Sequence, residues 1–263
     1  MDLSLTVTTV YDPDPMILTS AQCWAEKLNS RFIPRDRKSL STIMNMTQTS
    51  IILLASKEGP VVHTPGGRYF FHLSMAELRI KQLVNGKHDH MVTAMGLAPG
   101  MSVLDCTLGL ASDAIVASYI AGSKGTVIGL EKSPLIALVA ELGLGSFVAE
   151  DPEVTAALRR VEVKTTSHFD YLQKQSDNSF DIVFLDPMFR NPVESSSNLK
   201  PLRYLADSQP VTALTLNEAA RVARCRVVVK EARGSKVFRD LGISTLVGGK
   251  YSSVQYGVLE VDR

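Results

Sequence analysis

Residues 101–134 read MSVLDCTLGLASDAIVASYIAGSKGTVIGLEKSP. Within them, "SVLDCT" (102–107) and "GTVIGLEK" (125–132) are short aliphatic runs, and "ASDAIVASYIAGS" (111–123) between them is long enough for a helix. A strand, helix, strand succession with near-continuous apolar strands predicts a parallel βαβ unit buried on both faces. The same rhythm runs on: a helix over "PLIALVAELGLGSFVA" (134–149), then strands at "VEVKTT" (161–166), "FDIVFLD" (180–186) and "CRVVVKE" (225–231). The end differs. "ISTLVGGKYSSVQYGVLEV" (243–261) holds two β-rich runs around Gly248-Gly249 with no helix between them, which predicts an antiparallel hairpin.

Upstream, the signals describe a smaller unit. A β-rich run "LSLTVTT" (3–9) precedes a helix over residues 16–30 and a strand "SIILLAS" (50–56). A second strand, "GRYFFHL" (67–73), follows the Gly-Pro-rich connection "KEGPVVHTPGG" (57–67). Next comes a helix over 74–86, in which Ser74 and Glu77 suit a capping box and Asn85-Gly86 a stop. A further helix over "DHMVTAMGL" (89–97) is expected to end at Pro99-Gly100. The division is therefore a small α/β unit over 1–90, on the substrate side, and a ligand-binding α/β domain over 91–263.

Composition sets the outer limits. A chain of 263 residues with 45% hydrophobic content can bury a sizeable core. Its 28 Lys and Arg against 27 Asp and Glu leave a net charge of +1, so any polyanion site must be local. Cys23, Cys106 and Cys225 are scattered without C-x-x-C spacing, which excludes a disulfide framework or thiolate metal site and fits a reduced cytoplasm. No apolar run approaches the roughly 18 residues of a membrane span, and residues 1–10 lack a signal-peptide pattern.

The first strand ends at Asp105 and leads through Gly109 into a helix, a junction where a ligand can approach backbone closely. Ala111 and Ser112 stand where G-x-G-x-x-G would place further glycines, which counts against NAD or FAD. An acid opening the loop suits a cationic group, such as the ammonium of an amino acid. The second strand ends in Glu131, and an acid at that tip can accept both hydroxyls of an adenosine ribose. Adenosine with a cationic amino-acid tail is S-adenosylmethionine. The fourth strand stops on Asp186-Pro187-Met188-Phe189. Alone, that tetrad is as readily a turn, because proline cannot extend the ladder and aspartate bonds nearby backbone. At the carboxyl edge of such a sheet, it becomes a candidate site.

These motifs together resemble class I S-adenosylmethionine-dependent methyltransferases. Within that class, "VLDCTLGLASDA", "VIGLEKSP", "DIVFLDPMF" and "RVVVK" are similar to the small-subunit ribosomal RNA guanine-N2 methyltransferase J family and its uncharacterised Gram-positive relatives. The resemblance covers about residues 70–263. It implies a Rossmann-like, mostly parallel seven-stranded sheet with a C-terminal antiparallel hairpin. It also implies cofactor contacts at Ser112 and Asp113, Glu131 and Lys132, Ser167 and His168, and Asp186, and RNA as partner. Two departures bear on the RNA target. The family's loop reads G-L-G-R-D where this chain has Gly109-Leu110-Ala111-Ser112-Asp113, and its lysine-rich stretch after the tetrad is here "RNPVESSSNLKP".

An exocyclic base amine is a poor nucleophile because its lone pair is delocalised. The Asp186 carboxylate and Pro187 carbonyl can accept its N–H groups and orient the lone pair, with Phe189 stacking on the base and Met188 as an apolar wall. Methyl transfer to a small molecule or protein, and a non-catalytic RNA-binding or assembly module, remain alternatives. Lys230 faces the cleft or sits solvated at a strand end. The basic residues Arg31, Arg35, Arg37 and Lys38, and those from Arg221 to Arg239, form solvated faces or a local phosphate-binding surface. His88 and His90, two apart, point to different faces of a helix, so no metal is assigned. Cys106 reads as a small buried hydrophobe. Oligomeric state is left open.

Overall fold

The computed structural model describes residues 5–187, 200–206 and 210–261. Residues 5–70 build a five-stranded sheet, ordered β2-β1-β3-β4-β5, from β1 (Leu5–Thr9), β2 (Arg31–Phe32), β3 (Ile51–Ser56), β4 (Gly59–Thr64) and β5 (Gly67–Phe70). Helix α1 (Pro15–Lys27) is capped by Asp14, whose side chain accepts from the Ile17 amide, and α2 (Leu40–Thr47) is capped by Ser39. The Gly-Pro-rich stretch expected as a connection is instead β4. Pro60 sits near its start, and Val61 and Val62 pair with Leu54 and Leu53, so the proline costs the ladder little. Neither β2 nor α2 was expected; both are short.

Val7, Leu53, Val62 and Tyr69 lie in one register row across four strands of this small sheet, and all four are buried. Their face packs on Ile17, Ala21 and Ala25 of α1 and also on Leu135, Ile136, Leu138 and Val139. Those last residues belong to α6 (Pro134–Ser146), a helix of the larger sheet, so the two sheets share one apolar cluster. At about 1.5–3 kcal/mol per buried aliphatic side chain, this shared surface is a substantial tie.

Helix α3 (Ser74–Val84) starts after Leu73, and Leu73 occupies the N-cap with no side-chain bond. The N-cap thus falls one residue before the expected Ser74, and Glu77 pairs forward with Lys81 at 3.0 Å. Helix α4 (His90–Met95) is capped by the Asp89 carboxylate and ends at Gly96, φ 57°, before the Pro99-Gly100 stop.

The larger sheet has the order β11-β12-β10-β9-β6-β7-β8. It comprises β6 (Ser102–Asp105), β7 (Thr126–Glu131), β8 (Val161–Thr165), β9 (Phe180–Leu185), β10 (Ala223–Ala232), β11 (Thr245–Val247) and β12 (Val254–Glu260). Strands β8, β7, β6, β9 and β10 run parallel, and β12 runs antiparallel to both β10 and β11, as the sequence predicts. Along β9 and β10 successive residues alternate between two buried clusters: Ile182, Phe184 and Val228 on one face, Val183, Leu185, Val227 and Val229 on the other. This two-sided burial is what the continuous apolar runs encode.

The first face is covered by α3, α4, α5 (Ser112–Ala121) and α7 (Pro152–Arg160), the second by α8 (His168–Lys174), α10 (Ala213–Val222) and α11 (Lys236–Asp240). Helix α6 ends at Ser146, and Asp151 caps α7, a helix over residues to which the sequence reading assigned no element. A four-residue helix, α9 (Leu202–Leu205), rests on the turn between β4 and β5. A Cβ on Gly66 there would lie 2.7 Å from the Lys200 carbonyl oxygen and 2.9 Å from the Tyr204 ring. Among the described residues no helix is long and apolar enough to cross a membrane.

Candidate active site

The carboxyl ends of β6, β7, β9 and β10 bring Asp105, Glu131, Asp186 and Lys230 to one edge. The chain leaves β6 at Asp105, which is 2% exposed and accepts the Thr107 amide at 3.0 Å. The Thr107 hydroxyl in turn accepts the Asp186 amide at 2.6 Å, stitching the glycine loop to the end of β9. Leu108 tucks under β7, its amide on the Leu130 carbonyl at 2.9 Å. Gly129 makes room for it, since a Cβ there would meet the Leu108 side chain at 2.3 Å. Gly109 has φ +52° with open space where a Cβ would stand, and Ala111, φ 63°, turns the chain into α5.

Glu131 holds this loop from the next strand. One carboxylate oxygen accepts the Gly109 amide at 3.2 Å, the other the Ser133 amide at 2.8 Å. It is 9% exposed.

On the other side of the edge the contacts are ionic. Lys230, on β10, donates to Asp186 Oδ2 at 2.6 Å and to Asp113 Oδ2 at 2.9 Å. Asp113, in the first turn of α5, also accepts from Arg79 of α3, and Arg79 makes a two-pronged pair with Asp89 at 2.7 and 3.0 Å. The result is a chain of charge, Asp89, Arg79, Asp113, Lys230, Asp186, with side chains between 10% and 25% exposed. Burial pushes the Asp113 carboxyl up, but Lys230 and Arg79 more than reverse that and hold it below the ordinary range. Burial also raises Asp186, and Lys230 only partly opposes it. Asp105 has no cation of its own; burial first, then the charges of Asp113 and Asp186, push it up to about 8.

A family model described as "Putative SAM-dependent methyltransferase" matches residues 37–254. The chain belongs to that family. Its cofactor is S-adenosylmethionine. Two curated relatives support the assignment. "Uncharacterized protein YpiP" of Bacillus subtilis is 34% identical over 254 residues, 97% of this chain and 98% of that protein. "Ribosomal RNA small subunit methyltransferase J" of Stutzerimonas stutzeri is 28% identical over 242 residues, 89% and 88% of the two chains. Among solved structures, the SAM-dependent methyltransferase NGO1261 of Neisseria gonorrhoeae shares the fold at 17% identity and a TM-score of 0.67, over 97% of this chain and 95% of that one.

The residues at this methyltransferase's sheet edge fit the cofactor. The open space above Gly109 lies beside Glu131, and the edge carries more carboxylates than cations, the complement of a sulfonium and an ammonium. Of the residues expected from sequence, Asp105, Gly109, Asp113, Glu131 and Asp186 come together in this linked set. Ser112 starts α5 beside Asp113, while Ser167 precedes and His168 begins α8, after β8. Lys132 is exposed. Pro187 is buried; Met188 and Phe189 lie outside the described residues.

Sequence reasoning undervalued one residue and missed two more. Lys230 is a buried ion partner, not a solvated strand end, and burial, which would lower its ammonium, is outweighed by Asp113 and Asp186, which raise it. Arg79 and Thr107 were not singled out, although Thr107 lies within the loop motif itself. The late basic residues are largely engaged within the chain. Arg221 binds Glu218 and Asp177, Arg224 binds Asp181, Arg226 binds Glu260, and Arg233 donates to the Ser252 carbonyl. Arg35 is buried, its guanidinium 4.4 Å from the centre of the Tyr11 ring. Cys106 is buried and its thiol pushed well up by burial, as a packing residue requires. His88 precedes α4 and His90 begins it; among the described residues no group of His, Cys, Asp and Glu is arranged to hold a metal ion.

Proposed function

We propose that this methyltransferase modifies the exocyclic amine of a guanine in small-subunit ribosomal RNA. The observation that carries the chemistry is the end of β9: Asp186, with one oxygen held by Lys230, stands immediately before Pro187 at the edge where Glu131 and the glycine loop meet. The extent of similarity to a ribosomal RNA small subunit methyltransferase supports the choice of substrate.

S-adenosylmethionine, when bound, would supply an electrophilic methyl group, the electron pair of its C–S bond staying with sulfur. Glu131 would hold the ribose hydroxyls, Asp105 and the loop through Gly109, Ser112 and Asp113 would meet the amino-acid tail, and Lys132, Ser167 and His168 would surround the adenosine. Asp186 and the Pro187 carbonyl accept N–H bonds from the amine, turn its lone pair outward, and Asp186 takes the proton the nitrogen sheds. The small unit, residues 1–90, covers the substrate side through its packing on α6 and α9.

Mass spectrometry of ribosomal RNA from cells with and without this chain tests the reading. The expected result is loss of one N2-methylguanosine from the small-subunit RNA on deletion, restored by the native chain. An unchanged profile overturns the RNA assignment and favours a small-molecule or protein amine, with which the internally paired late arginines agree.

A further inference from the structure

We infer that Lys230 is a positioning residue for methyl transfer: by binding Oδ2 of Asp186 it keeps that carboxyl ionised and turns Oδ1 toward the amine. The inference rests on the reading of Asp186 given above and assigns the group that makes it work.

The geometry carries it. Lys230 approaches Asp186 at 2.6 Å and Asp113 at 2.9 Å from near the carboxyl end of β10, so two carboxylates fix one ammonium. Among the described residues the only hydrogen bond to the Asp186 side chain is the one to Oδ2. The ammonium is not free to swing away. Strand β10 is paired on both sides here, Lys230 opposite Tyr256 of β12 and Val229 opposite Leu185 of β9, and Asp113 is itself anchored by Arg79. Lys230 thus enters the site from a rigid sheet.

The surroundings make such a cation necessary. Asp186 faces Asp113 of α5, Glu231 of β10 and Asp105 at the end of β6, all acidic, while Tyr256 of β12 and the Arg79–Asp89 pair stand behind Lys230. Burial and the neighbouring acids favour a protonated Asp186, and a protonated carboxyl accepts N–H bonds more weakly, turns one oxygen into a donor, and cannot take up a further proton. Among the described residues Lys230 is the cation in contact with it. Removing Lys230 therefore raises the proton affinity of Asp186 and moves the acid limb of the reaction to higher pH.

The test compares native protein with Lys230→Met, Lys230→Arg and the charge-balanced double variant Lys230→Met/Asp113→Asn. Protein labelled with 13C at the aspartate carboxyls is titrated by NMR, the Asp186 signal being assigned with Asp186→Asn. The expected midpoint for Asp186 rises by about one pH unit or more, tenfold in proton affinity, in Lys230→Met, and stays near native in Lys230→Arg. The double variant serves if the single one fails to fold, and its midpoint too lies above native. In parallel, labelled methyl transfer to small ribosomal subunits from cells lacking this chain should show the same upward shift of the acid limb in Lys230→Met, with S-adenosylmethionine affinity of that single variant within about tenfold of native. An Asp186 midpoint unchanged on loss of Lys230 overturns the inference. Subunits that accept no label from the native protein overturn the RNA reading instead, and the NMR midpoint still decides the role of Lys230.

Discussion

The two halves of the sheet edge are built by different means. At β6 and β7 the carboxylates of Asp105 and Glu131 are met by backbone amides, those of Thr107, Gly109 and Ser133. At β9 and β10 the carboxylates of Asp186 and Asp113 are met by the side-chain cations Lys230 and Arg79. Backbone amides offer fixed, neutral donors, so the first half is preorganised and tolerant of a ligand that replaces a hydrogen bond with another. Side-chain charges are strong partners only while all are ionised, so the second half is interdependent and sensitive to pH.

Breaking the charged half should cost most. Asp113→Asn removes the acid shared by Lys230 and Arg79, and loss of one member of a buried ion pair costs about 3 kcal/mol or more. Urea unfolding should show that loss; a change below about 0.5 kcal/mol, the range of ordinary surface substitutions, would mean the chain of charges is not cooperative. In the backbone-built half, Glu131→Ala should instead act on the ligand. Calorimetry should find S-adenosylmethionine affinity down about a hundredfold, roughly 2.7 kcal/mol, and undiminished binding would remove Glu131 from the cofactor site.

The third test acts through pH. Asp105, raised to about 8, stays protonated in the folded chain while the unfolded chain ionises near its ordinary value. Its folded pKa lies above its unfolded one, so the folded state holds an extra proton between about pH 4 and pH 8 and loses stability as pH rises through that window. Asp105→Asn, permanently neutral, should therefore melt close to native at pH 4 and above native at pH 8. A melting difference independent of pH would show that Asp105 is ionised when folded.

Much of this was legible in the sequence, and the reasons it was not complete are physical. Continuous apolar runs announced the parallel strands because both faces of that sheet are buried, and the paired β-runs without an intervening helix announced the hairpin. Acids at the strand tips were legible because the polar residues interrupt apolar runs at Asp105, Glu131 and Asp186. The small unit was harder: β4 contains Gly59 and Pro60, and its pairing with β3 depends on a hairpin that composition alone reads as a loop. Lys230 was ambiguous since a lysine ending an apolar strand looks alike whether water or two aspartates receive it. Arg79 was invisible, because its partners Asp89 and Asp113 come from ten and 34 residues away along the chain.

If Asp186 grips the amine that receives the methyl group, as proposed, its loss stops transfer and spares the cofactor. Labelled methyl transfer to small ribosomal subunits from cells lacking this chain, by native protein and by Asp186→Ala, measures this together with S-adenosylmethionine affinity by calorimetry. The expected result is transfer down at least about a hundredfold with cofactor affinity within about tenfold of native. Turnover retained by Asp186→Ala would contradict it and make the end of β9 a structural turn.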